Sequence, residues 1–257
     1  METATFKLVN SIDLNCKKSV LIRGWENDQV EVRYPENKEC QLDFENNHLS
    51  IDAKSYCILS VPSTSQIVIE RVYGNLETVG PLGKILIENV SGNCSIQSAE
   101  NLVVENVSGN CKIGYINSNS DIRNVGGNLS FIVENGVMSI NGVGGNLSGK
   151  ADSISLSTSV GGNLKLITNR FVGTENQLRA GGSIKLNLFE FNNLFINAKA
   201  GGVASIIMNS ATEKFSNGKF EKAFGNGESV VKLRAGGNIK VSDEEPEFEI
   251  SQNFGSA

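Results

Sequence analysis

A short phrase, glycine then asparagine then an apolar residue, recurs along most of this chain. It reads Gly74-Asn75-Leu76, Gly92-Asn93-Cys94, Gly109-Asn110-Cys111, Gly127-Asn128-Leu129, Gly145-Asn146-Leu147 and Gly162-Asn163-Leu164. These copies are 18, 17, 18, 18 and 17 residues apart. Two looser copies, Gly182-Ser183-Ile184 and Gly202-Val203, follow at intervals of 20 and 20, and Gly237-Asn238-Ile239 closes the series. A period of this size marks stacked units, each too small to bury a core by itself. Between the copies, apolar residues alternate in short runs, as in Leu102-Val103-Val104-Glu105-Asn106-Val107. Runs of period two and this length are strands. The chain is therefore expected to be all-β: a single-stranded β-solenoid (β-helix) of about 17–20 residues per coil, with coils stacked about 4.8 Å apart.

The Gly-Asn pair belongs at a corner of each coil. Glycine enters positive-φ conformations at little cost and asparagine tolerates them. One asparagine per coil predicts a structural ladder of Asn75, Asn93, Asn110, Asn128, Asn146, Asn163 and Asn238, each amide bonding to the next. The following residue points inward, giving a column of Leu76, Cys94, Cys111, Leu129, Leu147, Leu164, Ile184 and Ile239. A second inward column is Val72, Val90, Val107, Val125, Val143 and Val160, replaced later by Ala180, Ala200 and Ala235.

The repeat sets the boundaries. Residues 1–65 lack it and read as short strands forming an antiparallel β cap over the first coil, whose open edge would otherwise invite edge-to-edge growth. Residues 66–242 are the solenoid, with an irregular insertion at about 210–228, and 243–257 is an acidic tail. In the insertion, Phe215, Phe220 and Phe224 are the candidate interaction residues. They fold back as a lid, or they form an exposed aromatic patch that meets a partner.

Charge and residue inventory exclude several functions. A net charge of −5 and a pI near 5.1 give no footprint for nucleic acid. His48 is the only histidine, which argues against His-based catalysis and multi-histidine metal sites. The Gly-Gly-Asn turns join strands and have no following helix to hold phosphate. Glu70, Glu88 and Glu105 recur one coil apart, with Arg123 next in line, and read as a solvated edge. The five cysteines have no CxxC spacing; Cys94 and Cys111 are expected as neighbours in one inward column, and Cys16, Cys40 and Cys57 as isolated structural residues. No enzyme, metal or cofactor is expected. The chain lacks a signal-like start and any apolar window near the roughly 18 residues of a membrane span, which points to the cytoplasm rather than the cell surface.

Arg23-Gly24-Trp25 with Val30-Glu31-Val32, then Val61-Pro62, the Val-x-Gly-Asn units and the closing Leu233-Arg234-Ala235-Gly236-Gly237-Asn238-Ile239 resemble a bacterial "putative adhesin" family of unknown function. That resemblance covers nearly the whole chain and implies a β-solenoid without an assigned activity. Coil size also resembles the bactofilins, cytoplasmic β-solenoids that join end to end. Two functions are consistent with these features. One is a structural protein that self-associates into a homo-oligomer, filament or scaffold. The alternative is an adhesin-like module presenting a solenoid face or the 210–228 loop to a protein or glycan.

Overall fold

The computed structural model describes residues 1–36, 39–209 and 211–244, excepting the side chains of 134–136. Every regular element among them is a β-strand, and the fold is a β-solenoid. No helix among the described residues is long and apolar enough to cross a membrane. The chain forms two compact units, residues 1–126 and residues from 127 onward. Most of the predicted acidic tail, 245–257, lies outside the described residues.

In the first unit a rung consists of a strand, a corner and a second strand. Gln66–Val72 and Leu76–Val79 form one such rung, and Lys84–Val90 with Cys94–Ala99 and Asn101–Val107 with Cys111–Ile116 form the next two. Their strands pair in parallel and in register, so Ile67, Ile85 and Leu102 stack, as do Val72, Val90 and Val107, and Leu76, Cys94 and Cys111. Each of these side chains is at most 3% exposed. Stacking identical apolar positions over identical positions buries a continuous aliphatic core, which no single rung could do.

The solenoid starts earlier than the repeat predicts. Ser11–Cys16 pairs in parallel with Gln66–Val72 on one side and His48–Ala53 on the other. Val20–Trp25 does the same between Leu76–Val79 and Cys57–Pro62. Residues 11–25 are thus a rung lying between rungs 48–62 and 66–79. The antiparallel part is confined to Gln29–Tyr34 on Cys57–Pro62, Cys40–Glu45 on His48–Ala53, and Glu2–Lys7 on Gln29–Tyr34. Gln29–Tyr34 and Cys40–Glu45 are the two strands of a rung that runs backwards over the outermost forward one. The two early rungs escaped the repeat because their corners are Lys17-Lys18-Ser19 and Lys54-Ser55-Tyr56, without Gly-Asn.

The second unit has the same plan with the order of the rungs along the chain reversed, the inserted and backward rungs coming late in the sequence. Leu129, Leu147, Leu164, Ile184, Ile239 and Ala204 stack in that order. Across the corner the order is Val143, Val160, Ala180, Ala235 and Ala200. The last segment, 229–242, therefore lies inside the stack, next to the outer rung 194–208. Residues 211–224, expected to be an irregular insertion, form another backward rung. Ala211–Phe215 pairs antiparallel with Ala204–Met208, and Lys219–Phe224 with Leu194–Ala200. Their alternation was short and charged, so it resembled a loop when read without its partner strands.

Candidate interaction surfaces

The corners explain why the repeat holds glycine and asparagine. The Asn75 side-chain carbonyl accepts the Asn93 backbone N–H at 2.9 Å, and Asn93 accepts that of Asn110 at 2.9 Å. In the second unit Asn128 serves Asn146 and Asn146 serves Asn163, both at 2.8 Å. Asn163 serves Ser183 at 2.8 Å and Asn238 serves Val203 at 2.9 Å. Serine takes the same post where asparagine is missing: Ser19 Oγ accepts from Asn75 N and Ser183 Oγ from Asn238 N, each at 3.0 Å. The principal partner is thus a backbone N–H that the corner leaves without a ladder acceptor. Amide-to-amide bonds accompany it, as from Asn146 Nδ2 to Asn128 Oδ1 at 3.1 Å.

The glycines serve close approach. None of the repeat glycines has a positive φ; that conformation occurs at Gly80, Gly173, Gly218, Gly225 and Gly227. A Cβ on Gly109 would fall 2.6 Å from the Gly92 carbonyl oxygen, tighter than any ordinary contact. The corner is closed to side chains because the rung beside it comes too near.

A second ladder was missed in the sequence. Asn89, Asn106 and Asn124 lie in register on an outer face of the first unit. Asn106 Nδ2 donates to Asn89 Oδ1 at 3.4 Å and Asn124 Nδ2 to Asn106 Oδ1 at 3.1 Å. Its signal was an asparagine just before the inward valine: Asn89-Val90, Asn106-Val107 and Asn124-Val125. Beside it Arg123 contacts Glu105 at 2.6 Å and Asp121 at 3.2 Å, which neutralises one end of the acidic column.

The three candidate phenylalanines sit in the backward rung. Phe220 is buried, with its ring 5.1 Å from that of Phe215, and Phe224 packs 4.9 Å from Phe191. Phe220 is therefore part of the packing and is not open for contact with a partner.

All five cysteines are free. Cys94 and Cys111 are in-register neighbours, and hydrogen bonding to Cys111 together with burial pushes the Cys94 thiol well above its ordinary pKa. Cys16 and Cys57, expected to be isolated, are hydrogen-bonding neighbours at the corner of adjoining rungs. The Cys16 thiol reaches the Ser55 carbonyl at 3.1 Å, and the bond to Cys16 and burial push the Cys57 thiol up.

His48 has more company than its isolation in the sequence indicated. Its Nδ1 is 2.8 Å from Ser11 Oγ, and its Nε2 is 3.2 Å from Ser50 Oγ and 3.3 Å from Asp13. These side chains stand on a half-exposed sheet face whose strands are paired on both sides. Backbone N–H groups there are engaged in the ladder and do not form a pair of free donors for an oxyanion. Asp13, Asp43, Asp52 and Glu70 line an adjoining cleft of about 230 Å³. Among the described residues no group of three His, Cys, Asp or Glu side chains converges as metal ligands.

No protein-family model and no curated protein matches this chain. Among solved structures, a "putative adhesin" of Bacteroides fragilis aligns over 94% of this chain and 96% of its own, at 14% identity and a TM-score of 0.41. A "putative cell adhesion protein" of Clostridium sporogenes aligns over 94% and 98%, at 14% identity and a TM-score of 0.20.

Proposed function

We propose that this protein is a non-catalytic display scaffold: a β-solenoid that holds in-register rows of side chains towards a macromolecular partner. The backward rung in each unit carries the reading. An uncovered forward rung would offer a row of open N–H and C=O groups to the next molecule, the requirement for end-to-end growth. Residues 29–45 and 211–224 occupy that position instead. The outward strand Ala211–Phe215 exposes Glu213 and Lys214. Charged residues on an edge oppose further pairing. This favours a module that binds through its faces over a filament subunit.

Sedimentation over a wide concentration range, run alongside binding of the labelled protein to an array of glycans and cell-wall polymers, tests the proposal. A monomer with saturable binding to at least one polymer is expected. Growth into fibres, or no binding to any polymer or protein offered, would overturn it.

A further inference from the structure

The second unit carries a row of four cations in a protein whose net charge is −5. Arg179 pairs in register with Arg234, Arg234 with Lys199, and Lys199 with Lys219 of the backward rung. All four side chains are exposed. Directly paired positions face the same side of a sheet at about 4.8 Å spacing, so the row is about 14 Å long. The ion pairs of this unit lie elsewhere: Lys222 with Glu213, Lys232 with Glu175 and Lys240 with Glu244. Among the described residues, none of the four in the row takes part in one. Like charges placed opposite one another destabilise a sheet. A fold that keeps four of them in line forgoes stability there, which is common at functional surfaces.

The row borders a groove of about 350 Å³ lined by Arg179, Arg234 and Lys199 with the small corner residues Ala180, Ala200, Ala235, Gly201 and Gly236. On the far side of the same corner Lys185 stands in register with Lys165 and Lys240. The corner thus has lysines on its far side as well, where Lys240 is paired with Glu244, and a floor too small to obstruct a chain lying along it. Lys165 is held below its ordinary pKa by partial desolvation and by Lys185, in keeping with a crowded positive field.

We infer that this groove binds a linear acidic polysaccharide, whose carboxylate or sulfate groups lie along the Arg179–Arg234–Lys199–Lys219 row. A stiff chain with a charge on successive sugars matches a straight row of cations fixed at rung spacing. Nucleic acid fits less well. Among the described residues no aromatic side chain lines the groove for base stacking, and the overall negative charge opposes a phosphate-dense duplex. A peptide added as an extra strand finds no open edge along Glu175–Ala180, Ser229–Ala235 and Leu194–Ala200, which are all paired on both sides; the outer edge of Lys219–Phe224 meets the row only at its last cation.

The inference rests on the display-scaffold reading and is tested on the full chain. Affinity for polygalacturonate is measured by calorimetry at low and at moderate salt, against neutral dextran and a single-stranded DNA oligonucleotide. The triple variant Arg179→Gln, Arg234→Gln, Lys199→Gln is compared with the parent. Expected are binding to polygalacturonate alone, at least a tenfold loss in the triple variant, and a shallower salt dependence in it. The variant's Tm should stay level or rise, because repulsion is relieved, which separates lost binding from lost folding. Absent polygalacturonate binding, unchanged affinity in the variant, or DNA bound as tightly as the polyuronate would each overturn the inference. If the array then still finds a partner, the groove assignment fails while the scaffold reading stands.

Discussion

Gly149 shows how tightly one residue can be specified by the rung below it. Phe131 is the largest fully buried side chain among the described residues, and it lies in register with Gly149 and, beyond that, Leu166. A Cβ on Gly149 would fall far inside contact distance of Phe131 Cζ. Gly149→Ala is therefore an overpacking change, expected to destabilise by about 1–3 kcal/mol. Phe131→Leu alone should also destabilise, by opening space. Combined, the two should be markedly less harmful than their sum, because the smaller side chain clears room for the methyl group. Chemical denaturation of the four proteins checks this; simple additivity would refute the packing argument. Cys94 supports a second prediction at this scale. Its folded pKa is raised above the ordinary thiol value of 9.0. The buried thiol thus contributes stability that is whole below that value and is lost as pH rises above it, because the unfolded chain ionises first. Between about pH 8 and pH 10.5 the wild type should lose more stability than Cys94→Ala does over the same range. Parallel pH profiles would contradict it. The inward position of Cys94 could be read from the sequence, since it follows Gly-Asn like every other inward residue. The Phe131–Gly149 contact could not, because period alone does not say which large residue lies above which small one.

At the level of elements, the sequence specified the forward rungs wherever a Gly-Asn corner marked them, and it failed where another residue does the corner's work. Ser19 and Ser183 each accept a backbone N–H from the neighbouring rung as asparagine does elsewhere. Ser183 still follows a glycine and kept its place in the series, whereas Ser19 follows Lys18 and hid the rung 11–25. The backward rungs were hidden for a different reason. A reversed rung reads as ordinary alternation, and nothing local distinguishes it from a loop or a separate hairpin. The second asparagine ladder was legible in principle, since Asn-Val precedes three successive corners, but the stronger Gly-Asn signal masked it. The basic row had no sequence signal along the chain. Arg179, Lys199, Lys219 and Arg234 are brought together only because segment 229–242 lies between two earlier rungs, an order that local periodicity does not encode.

That order matters most at the scale of the molecule. In a simple repeat stack the terminal unit is the outermost, contacts one neighbour, and can fray or be removed at the cost of one interface. Here the first and the last of the described forward rungs along the chain reach interior positions. Residues 11–25 separate rungs 48–62 and 66–79, and residues 229–242 separate rung 194–208 from the rung that includes Glu175–Ala180 and Ile184–Leu188. A chain ending at residue 228 would therefore lose two interfaces together. The rungs at 194–208 and 211–224 would remain bonded to each other, but 194–208 would lose its parallel partner, leaving Leu233, Ile239 and Val241 unreplaced in the core. Hydrogen exchange on the full chain should show amides of Ser229–Ala235 protected as strongly as those of Glu175–Ala180, despite their place near the chain's end. On the chain cut after 228, protection should collapse across 194–224 while persisting through Leu147–Val160, and limited proteolysis should open the link at 189–193. Protection of 194–224 that survived the cut would mean that the outer rungs stand without the terminal segment. The interleaved order would then be dispensable, and the fixed cation row built on it would lose its structural basis.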